Sequence, residues 1–160
     1  MRYQPEGVRG VAYMVRATNF GASSKDYFAS SKDTLLGIVQ VESEEILNSL
    51  DDIAAIDGID LLFVGPSDLS MALGIFGQLD HPRFIDALKT TAAAAKTAGK
   101  ATGVLMRSPE EFNKYHDLGF RFIACGADAT FVTSGARNMV DTLSDLRIQK
   151  TEDRRQKSDL

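Results

Sequence analysis

Cysteine is almost absent. The 160-residue chain has one, Cys125, which excludes an internal disulfide framework. Such sparing use of cysteine fits a reducing compartment such as the cytoplasm. Cys125 itself, near the end of an apolar run, reads as a small buried residue with no assigned chemistry. Histidine is nearly as scarce, with only His81 and His116. Long apolar runs are missing. Nothing approaches the roughly 18 residues of a membrane-spanning helix. Residues 1–10 are polar, punctuated by Pro5, Gly7 and Gly10, and lack the apolar segment of a secretory signal. Excess positive charge is missing too. Eighteen Lys and Arg against 22 Asp and Glu leave a net charge of -4, which offers nucleic acid no electrostatic footprint. There is no internal repeat, and the only biased stretch is the alanine-rich 92–95. What remains, 44% hydrophobic and 25% charged, is an ordinary globular composition sufficient for one core.

The most informative stretch runs from residue 35 to residue 70. Two short apolar runs, Gly37-Ile38-Val39-Gln40-Val41-Glu42 and Leu61-Leu62-Phe63-Val64-Gly65-Pro66-Ser67-Asp68, lead into carboxylates. Each fits a buried parallel strand. Between them, Ile46, Leu47, Leu50, Ile53 and Ala54 recur at helical spacing, with Ser43 placed to cap and Glu44 and Glu45 at the positive end. The result is a β-α-β unit. In such folds ligands lie at the carboxyl ends of the strands, where Glu42 and Asp68 stand with Gln40 two residues before. Two carboxylates there fit an oxygen site for Mg²⁺ or a similar divalent ion. Capping of the next helix explains such residues equally simply. Gly65 allows close backbone approach, Pro66 stiffens the turn, and the amides of Ser67 and Asp68 are free to hold an anion.

The rest of the chain continues the alternation. Residues 25–31 form a short helix carrying Tyr27 and Phe28. Strands are predicted at 35–41, 61–64, 101–106 and 120–125. A long helix starts at Pro82 and stops at Gly99, with Phe84, Ile85 and Leu88 inward. Ser108-Pro109-Glu110-Glu111 reads as a capping box opening a helix that turns Phe112, Tyr115 and Leu118 to the core. A last helix spans 129–146, and a polar, frayed tail occupies 149–160. This is an α/β order with a parallel sheet and right-handed crossovers. It leaves open sheet and barrel undecided, although a complete (β/α)₈ barrel takes about 250 residues.

The segments Arg2-Tyr3-Gln4-Pro5-Glu6-Gly7-Val8-Arg9-Gly10, Arg16-Ala17, Val39-Gln40-Val41-Glu42-Ser43, Asp57-Gly58-Ile59-Asp60 and Phe63-Val64-Gly65-Pro66-Ser67-Asp68-Leu69-Ser70 together resemble the HpcH/HpaI aldolases. His81-Pro82, Ala98-Gly99-Lys100, Gly103, Gly119-Phe120 and Gly126-Ala127-Asp128 agree with that pattern. The resemblance covers residues 1–148. It implies the C-terminal part of a (β/α)₈ TIM barrel, roughly strands five to eight with their helices.

By this resemblance Glu42 and Asp68 are ligands of a divalent metal (Mg²⁺, Mn²⁺ or Co²⁺). Gln40 contacts substrate, and the amides of Ser67 and Asp68 hold the carboxylate of a 2-oxo acid, pyruvate or oxaloacetate. The implied activity is class II aldolase or lyase chemistry, in which the metal stabilises an enolate while a C–C bond forms or breaks, with an aldehyde as the other partner. Oxaloacetate decarboxylation of the macrophomate synthase type is a related alternative. No Schiff-base lysine is needed, and Lys32, Lys96 and Lys100 read as solvated charges.

The family's histidine base and enolate-stabilising arginine belong to the barrel's first half and have no counterpart here. His81 reads as a helix cap and His116 as a solvated residue. Arg9 and Arg16 read as surface or interface ion-pair residues. The chain is therefore expected to be half of a longer barrel, a half that pairs with another half or with itself, or an inactive half kept for binding or assembly. Alone it would leave two sheet edges and an apolar interior face open. A homo-oligomer is expected, with residues 131–143 packing on their own chain or on a neighbour.

Overall fold

The computed structural model describes residues 2–158, with side chains as far as residue 148. Met1 and the last two residues of the predicted tail lie outside the described residues. Four strands, β1 (Ile38–Val41), β2 (Leu61–Val64), β3 (Ala101–Met106) and β4 (Phe122–Cys125), form one parallel sheet in the order β1-β2-β3-β4. The helices are α1 (Ser24–Thr34), α2 (Glu44–Asn48), α3 (Leu50–Ala55), α4 (Pro66–Ala72), α5 (Pro82–Thr97), α6 (Phe112–Asp117) and α7 (Asp128–Ser158). A 3₁₀ turn, Arg16–Thr18, precedes α1, and another, Pro109–Glu111, precedes α6.

The core lies on one face of the sheet. Val41, Leu62, Val64 and Val104 pack there against Leu50, Ala54, Phe84, Leu88 and Tyr115. Strands this apolar are expected to be covered on both sides. On the other face, Ile38, Leu105 and Phe122 stay 42–44% exposed. Gln40, Phe63, Gly103 and Phe122 align across all four strands. Gly103 has no room for a side chain, since an added Cβ would meet Phe63 at 2.7 Å and the carbonyl of Phe122 at 2.9 Å. That gap lets the Phe63 and Phe122 rings meet edge to face at 6.1 Å. Among the described residues the sheet is therefore open, with β1 and β4 as unpaired edges.

Several boundaries differ from the sequence reading. β1 begins at Ile38 rather than residue 35, because the Asp60 carboxylate takes the Gly37 amide at 2.7 Å, leaving Leu35 and Leu36 exposed. The helix expected over 43–58 is two, split where the Ser49 amide bonds back to Ile46 at 3.0 Å. Its cap is as expected: Ser43 accepts from the Ile46 amide at 3.3 Å. The capping box at Ser108 does not form, since Glu111 turns instead to Arg107. Of the three residues meant to face inward from α6, Tyr115 is fully buried, but Phe112 is 44% exposed and stacks on His116 at 5.5 Å. Cys125 is exposed, not buried, because β4 is an edge strand.

The last helix departs furthest. It continues through Ser158, so the stretch after Gln149 is helical rather than frayed. Phe131, Val132, Met139, Val140 and Leu143 are all more than half exposed, although the edge of the Phe131 ring lies against Gly126. Among the described residues no helix is long and apolar enough to cross a membrane.

Candidate active site

The carboxyl ends of β1 and β2 meet at one point. The ladder ends at the pair Val41 and Val64, and the Gly65 amide still donates to the Val41 carbonyl at 3.1 Å. Glu42 and Gly65 follow directly. A Cβ added to Gly65 would lie 3.1 Å from Gln40 Nε2 and 3.4 Å from Glu42 Oε2. The glycine is therefore the floor on which these two side chains rest. Glu42 is half-buried, yet among the described residues its carboxylate has no hydrogen-bond or ion-pair partner. A half-buried carboxylate without a partner suits a cation, because desolvation has to be offset by opposite charge.

The segment read as a turn after β2 is a helix. Gly65 is the N-cap of α4, Pro66 its first residue, and the Leu69 amide donates to the Gly65 carbonyl at 2.9 Å. Proline suits that position, since its missing N–H would be unpaired anyway. Ser67 and Asp68 follow in the first turn, both exposed, where amides have no partner within the helix. Buried Ser70 fixes the other side of α4: its hydroxyl donates to the Ser67 carbonyl at 3.0 Å and accepts from the Gly77 amide at 3.1 Å.

From this turn an open cleft of about 370 Å³ runs across the ends of β3 and β4. Its wall comprises Pro66, Ser67 and Ser70, then Phe76, Leu105 and Met106, then Arg107, and finally Gly126 and Thr130. Ser67 is the predicted residue that the cleft includes. Gln40, Glu42 and Asp68 lie outside its wall. Sequence reasoning missed Ser70, Arg107 and Thr130. Arg107 was within reach of it, because it follows the last residue of β3 as Glu42 follows that of β1.

The remaining polar residues have structural roles. His81 is the N-cap of α5, its Nδ1 accepting from the Arg83 amide at 3.2 Å. His116 lies on α6 with a half-exposed side chain, 3.7 Å from Asp117. Among the described residues Arg9 makes no ion pair. Its guanidinium lies 4.6 Å over the Tyr3 ring and donates to the Tyr27 hydroxyl at 3.3 Å, an aromatic cluster having displaced the expected carboxylate. Arg16 is exposed on its 3₁₀ turn. Arg83 donates to the Leu73 carbonyl at 2.7 Å and to Glu44 at 3.0 Å, tying α5 to α4 and α2. The Asp80 carboxyl is held below its usual range by hydrogen bonding to Lys114. Among the described residues no three His, Cys, Asp or Glu side chains converge on one point.

Comparison with known proteins bears on the whole arrangement. The HpcH/HpaI aldolase/citrate lyase family pattern matches residues 1–134. The 5-keto-4-deoxy-D-glucarate aldolase of Salmonella arizonae is 40% identical over 141 residues, covering 88% of this chain and 55% of the relative. A HpcH/HpaI aldolase/citrate lyase family protein from Burkholderia cenocepacia superposes with a TM-score of 0.77 at 36% identity, over 89% of this chain and 57% of that one. Macrophomate synthase shares the fold with a TM-score of 0.72 at 24% identity, over 92% of this chain and 53% of its own. The chain thus spans about half the length of the curated relatives it matches.

Proposed function

The chain belongs to the HpcH/HpaI aldolase/citrate lyase family, and from that premise we propose that it carries the metal- and oxo-acid-binding half of a lyase that cleaves or forms a C–C bond of a 2-oxo acid. The observation that carries the proposal is the partnerless, half-buried Glu42 resting against Gly65 beside the Gln40 amide. Glu42 and Asp68 would hold a Mg²⁺, Mn²⁺ or Co²⁺ ion. That ion would supply Lewis acidity, polarising the 2-oxo group. Gln40 would donate its amide to a substrate oxygen. The Ser67 and Asp68 amides, at the positive end of α4, would bind the substrate carboxylate. The apolar wall of Leu105, Met106 and Phe76 would exclude water from the group that departs.

Among the described residues the cleft wall holds no histidine, lysine or carboxylate to serve as acid or base. His81 and His116 are occupied elsewhere, and Arg107 holds its proton too firmly to serve as a base. Proton transfer and enolate stabilisation would therefore come from a complementary half-barrel covering the open face of Ile38, Leu105 and Phe122. The compartment proposed is the cytoplasm. A second reading, a half-barrel that binds metal and oxo acid without turnover, draws on the same absence of a base.

The test is pyruvate release by the purified chain from a 4-hydroxy-2-oxo acid, and from oxaloacetate, with and without Mg²⁺ or Mn²⁺. Metal-dependent release supports the lyase reading. Metal binding without release fits the half-site reading. A chain that binds neither Mg²⁺ nor Mn²⁺ overturns both.

A further inference from the structure

We propose that a basic groove at the amino ends of β3 and β4 binds a small, multiply charged anion of the oligophosphate class. Lys89 and Lys96 come to it from α5, Lys100 from the turn after α5, and Arg121 from the residue before β4. The sequence reads Lys96 and Lys100 as solvated charges, and only the fold sets them beside Arg121. The groove has a volume of about 640 Å³. Because the strands run parallel, it lies at the opposite end of the sheet from Glu42. The six residues of β3 alone put about 17 Å between the two ends. It is therefore a separate site, and it does not depend on the metal reading.

Among the described residues four cations face one carboxylate here, in a chain whose net charge is -4. That carboxylate, Asp117, lies 3.7 Å from His116. Lys89 reaches Asp86 only loosely, at 3.9 Å, and both side chains are exposed. Among the described residues Lys96 and Lys100 have no hydrogen-bond or ion-pair partner. Lys100 is half-buried as well, where an ammonium without a counter-charge is costly. Arg121 is fixed in place: its Nη1 donates to the His116 carbonyl at 2.8 Å and to the Phe120 carbonyl at 3.0 Å. Among the described residues its Nε and Nη2 have no partner. A basic side chain in the last turn of a helix answers the helix dipole, which accounts for Lys96. It does not account for Lys89, about two turns earlier, nor for gathering four like charges whose repulsion an anion would relieve.

The shape of the groove selects the class of anion. Ala92, Ala93 and Gly119 lie between the cations and offer no aromatic ring to stack a base and no pocket for an apolar group. Lys89 and Lys96 stand about 10 Å apart along one helix, so the cations form a row rather than one bidentate clamp. Lysine binds phosphate as a point charge, whereas planar recognition of a carboxylate favours arginine. A short phosphate chain, with charge repeated along its length, matches a row of ammonium groups that ends on a fixed guanidinium.

The experiment titrates tripolyphosphate into the full chain in EDTA at low salt. The readout is the methyl NMR signals of Ala92 and Ala93, with the amide signals of Ser67 and Asp68 followed in the same spectra. Saturable shifts are expected at the two alanines, weakening as added salt screens the charges. Lys96→Glu and Lys100→Glu should each weaken binding ~5-fold, the upper end for one exposed charge pair. Lys25→Glu, the same change of charge on α1 and outside the groove, should leave the affinity as in wild type. If one groove variant does not fold, the other decides by the same ratio. ATP separates a free oligophosphate from the phosphate chain of a nucleotide. Equal affinity means that the phosphates alone are read, and tighter binding that falls in the same lysine variants makes a nucleotide the ligand. The assignment is overturned by unmoved alanine methyls, by shifts confined to Ser67 and Asp68, or by groove variants that bind as wild type does. A loss in Lys25→Glu equal to that in the groove variants also overturns it, since only net charge would then matter.

Discussion

Gly65 lies against Glu42, and a single methyl group would separate them. Added at Gly65, it would sit 3.4 Å from Glu42 Oε2 and 3.1 Å from Gln40 Nε2. The backbone there has φ -91°, which any residue adopts, so glycine is required for space and not for conformation. Gly65→Ala should therefore fold normally and displace the two side chains by a few tenths of an ångström. On the proposed metal reading, Mn²⁺ affinity should fall by about tenfold, the low end of the cost of disturbing a metal site's supporting contacts. Titration calorimetry and a urea melt on one sample separate the two effects. Unchanged affinity would place the metal elsewhere.

Removing the proposed ligands should act differently. Glu42→Ala and Asp68→Ala should each abolish measurable Mn²⁺ binding while leaving the urea midpoint near wild type. Neither carboxylate has a protein partner among the described residues whose loss could weaken the fold. A variant that unfolds would mark its carboxylate as structural. One that folds and still binds Mn²⁺ would remove it from the ligand set.

The strands, and the meeting of Glu42 and Gly65 at the carboxyl ends of β1 and β2, were legible because each rests on a local rule. Apolar runs of four to six residues give strands, and the residues just beyond them fall at the strands' carboxyl ends. β2 and β3 run over the residues expected, since Gly58 and Gly99 frame them in the sequence as in the fold. What could not be read depends on neighbours distant in sequence. Asp60 captures the Gly37 amide and shortens β1. Arg107 is the exception, a near neighbour that draws Glu111 away from the Ser108 capping box. Cys125 sits on an edge strand, so the apolar run that suggested burial has no cover. The cleft was illegible for the same reason: its wall joins residues from α4, β3 and α7.

His81 offers a test of capping against catalysis. Its Nδ1 accepts the Arg83 amide at the start of α5, a bond that asparagine or aspartate can replace. His81→Ala should cost about 1 kcal/mol of stability in urea denaturation, and His81→Asp should restore most of it. Any metal-dependent turnover should be the same in both variants at a temperature where both are folded. A drop in turnover with stability intact would make His81 a base.

Tyr115 is fully buried, and its hydroxyl has no hydrogen-bond partner among the described residues. Burial first, and then the nearby Glu111 charge, push its pKa up from 10.0 to about 12. The folded state therefore favours the neutral phenol. That contribution is whole below pH 10 and is lost as pH rises from 10.0 towards about 12. Tyr115→Phe should raise stability at neutral pH by about 1 kcal/mol, since it removes an unsatisfied buried hydroxyl. It should also flatten the alkaline limb of stability between those two pH values. A destabilised phenylalanine variant would reveal a partner for the hydroxyl, such as a buried water.

The exposed stripe of α7 yields a prediction about assembly. Phe131, Val132, Met139, Val140 and Leu143 are 58–71% exposed along one helix, more apolar surface than a stable monomer usually leaves uncovered. The chain should therefore self-associate in a concentration-dependent way, measurable by light scattering coupled to gel filtration. Val132 and Val140 lie about two helical turns apart and so share a face. Burying a valine contributes about 1.5–3 kcal/mol. Val132→Lys with Val140→Lys should thus weaken association at least ~100-fold, because each 1.4 kcal/mol is about a factor of ten. Residue-level stability should be unaffected, since neither side chain touches the core. If the double variant associates as wild type does, the contact lies instead on the open sheet face. Phe122→Lys, on that face, would then be the substitution that dissolves it.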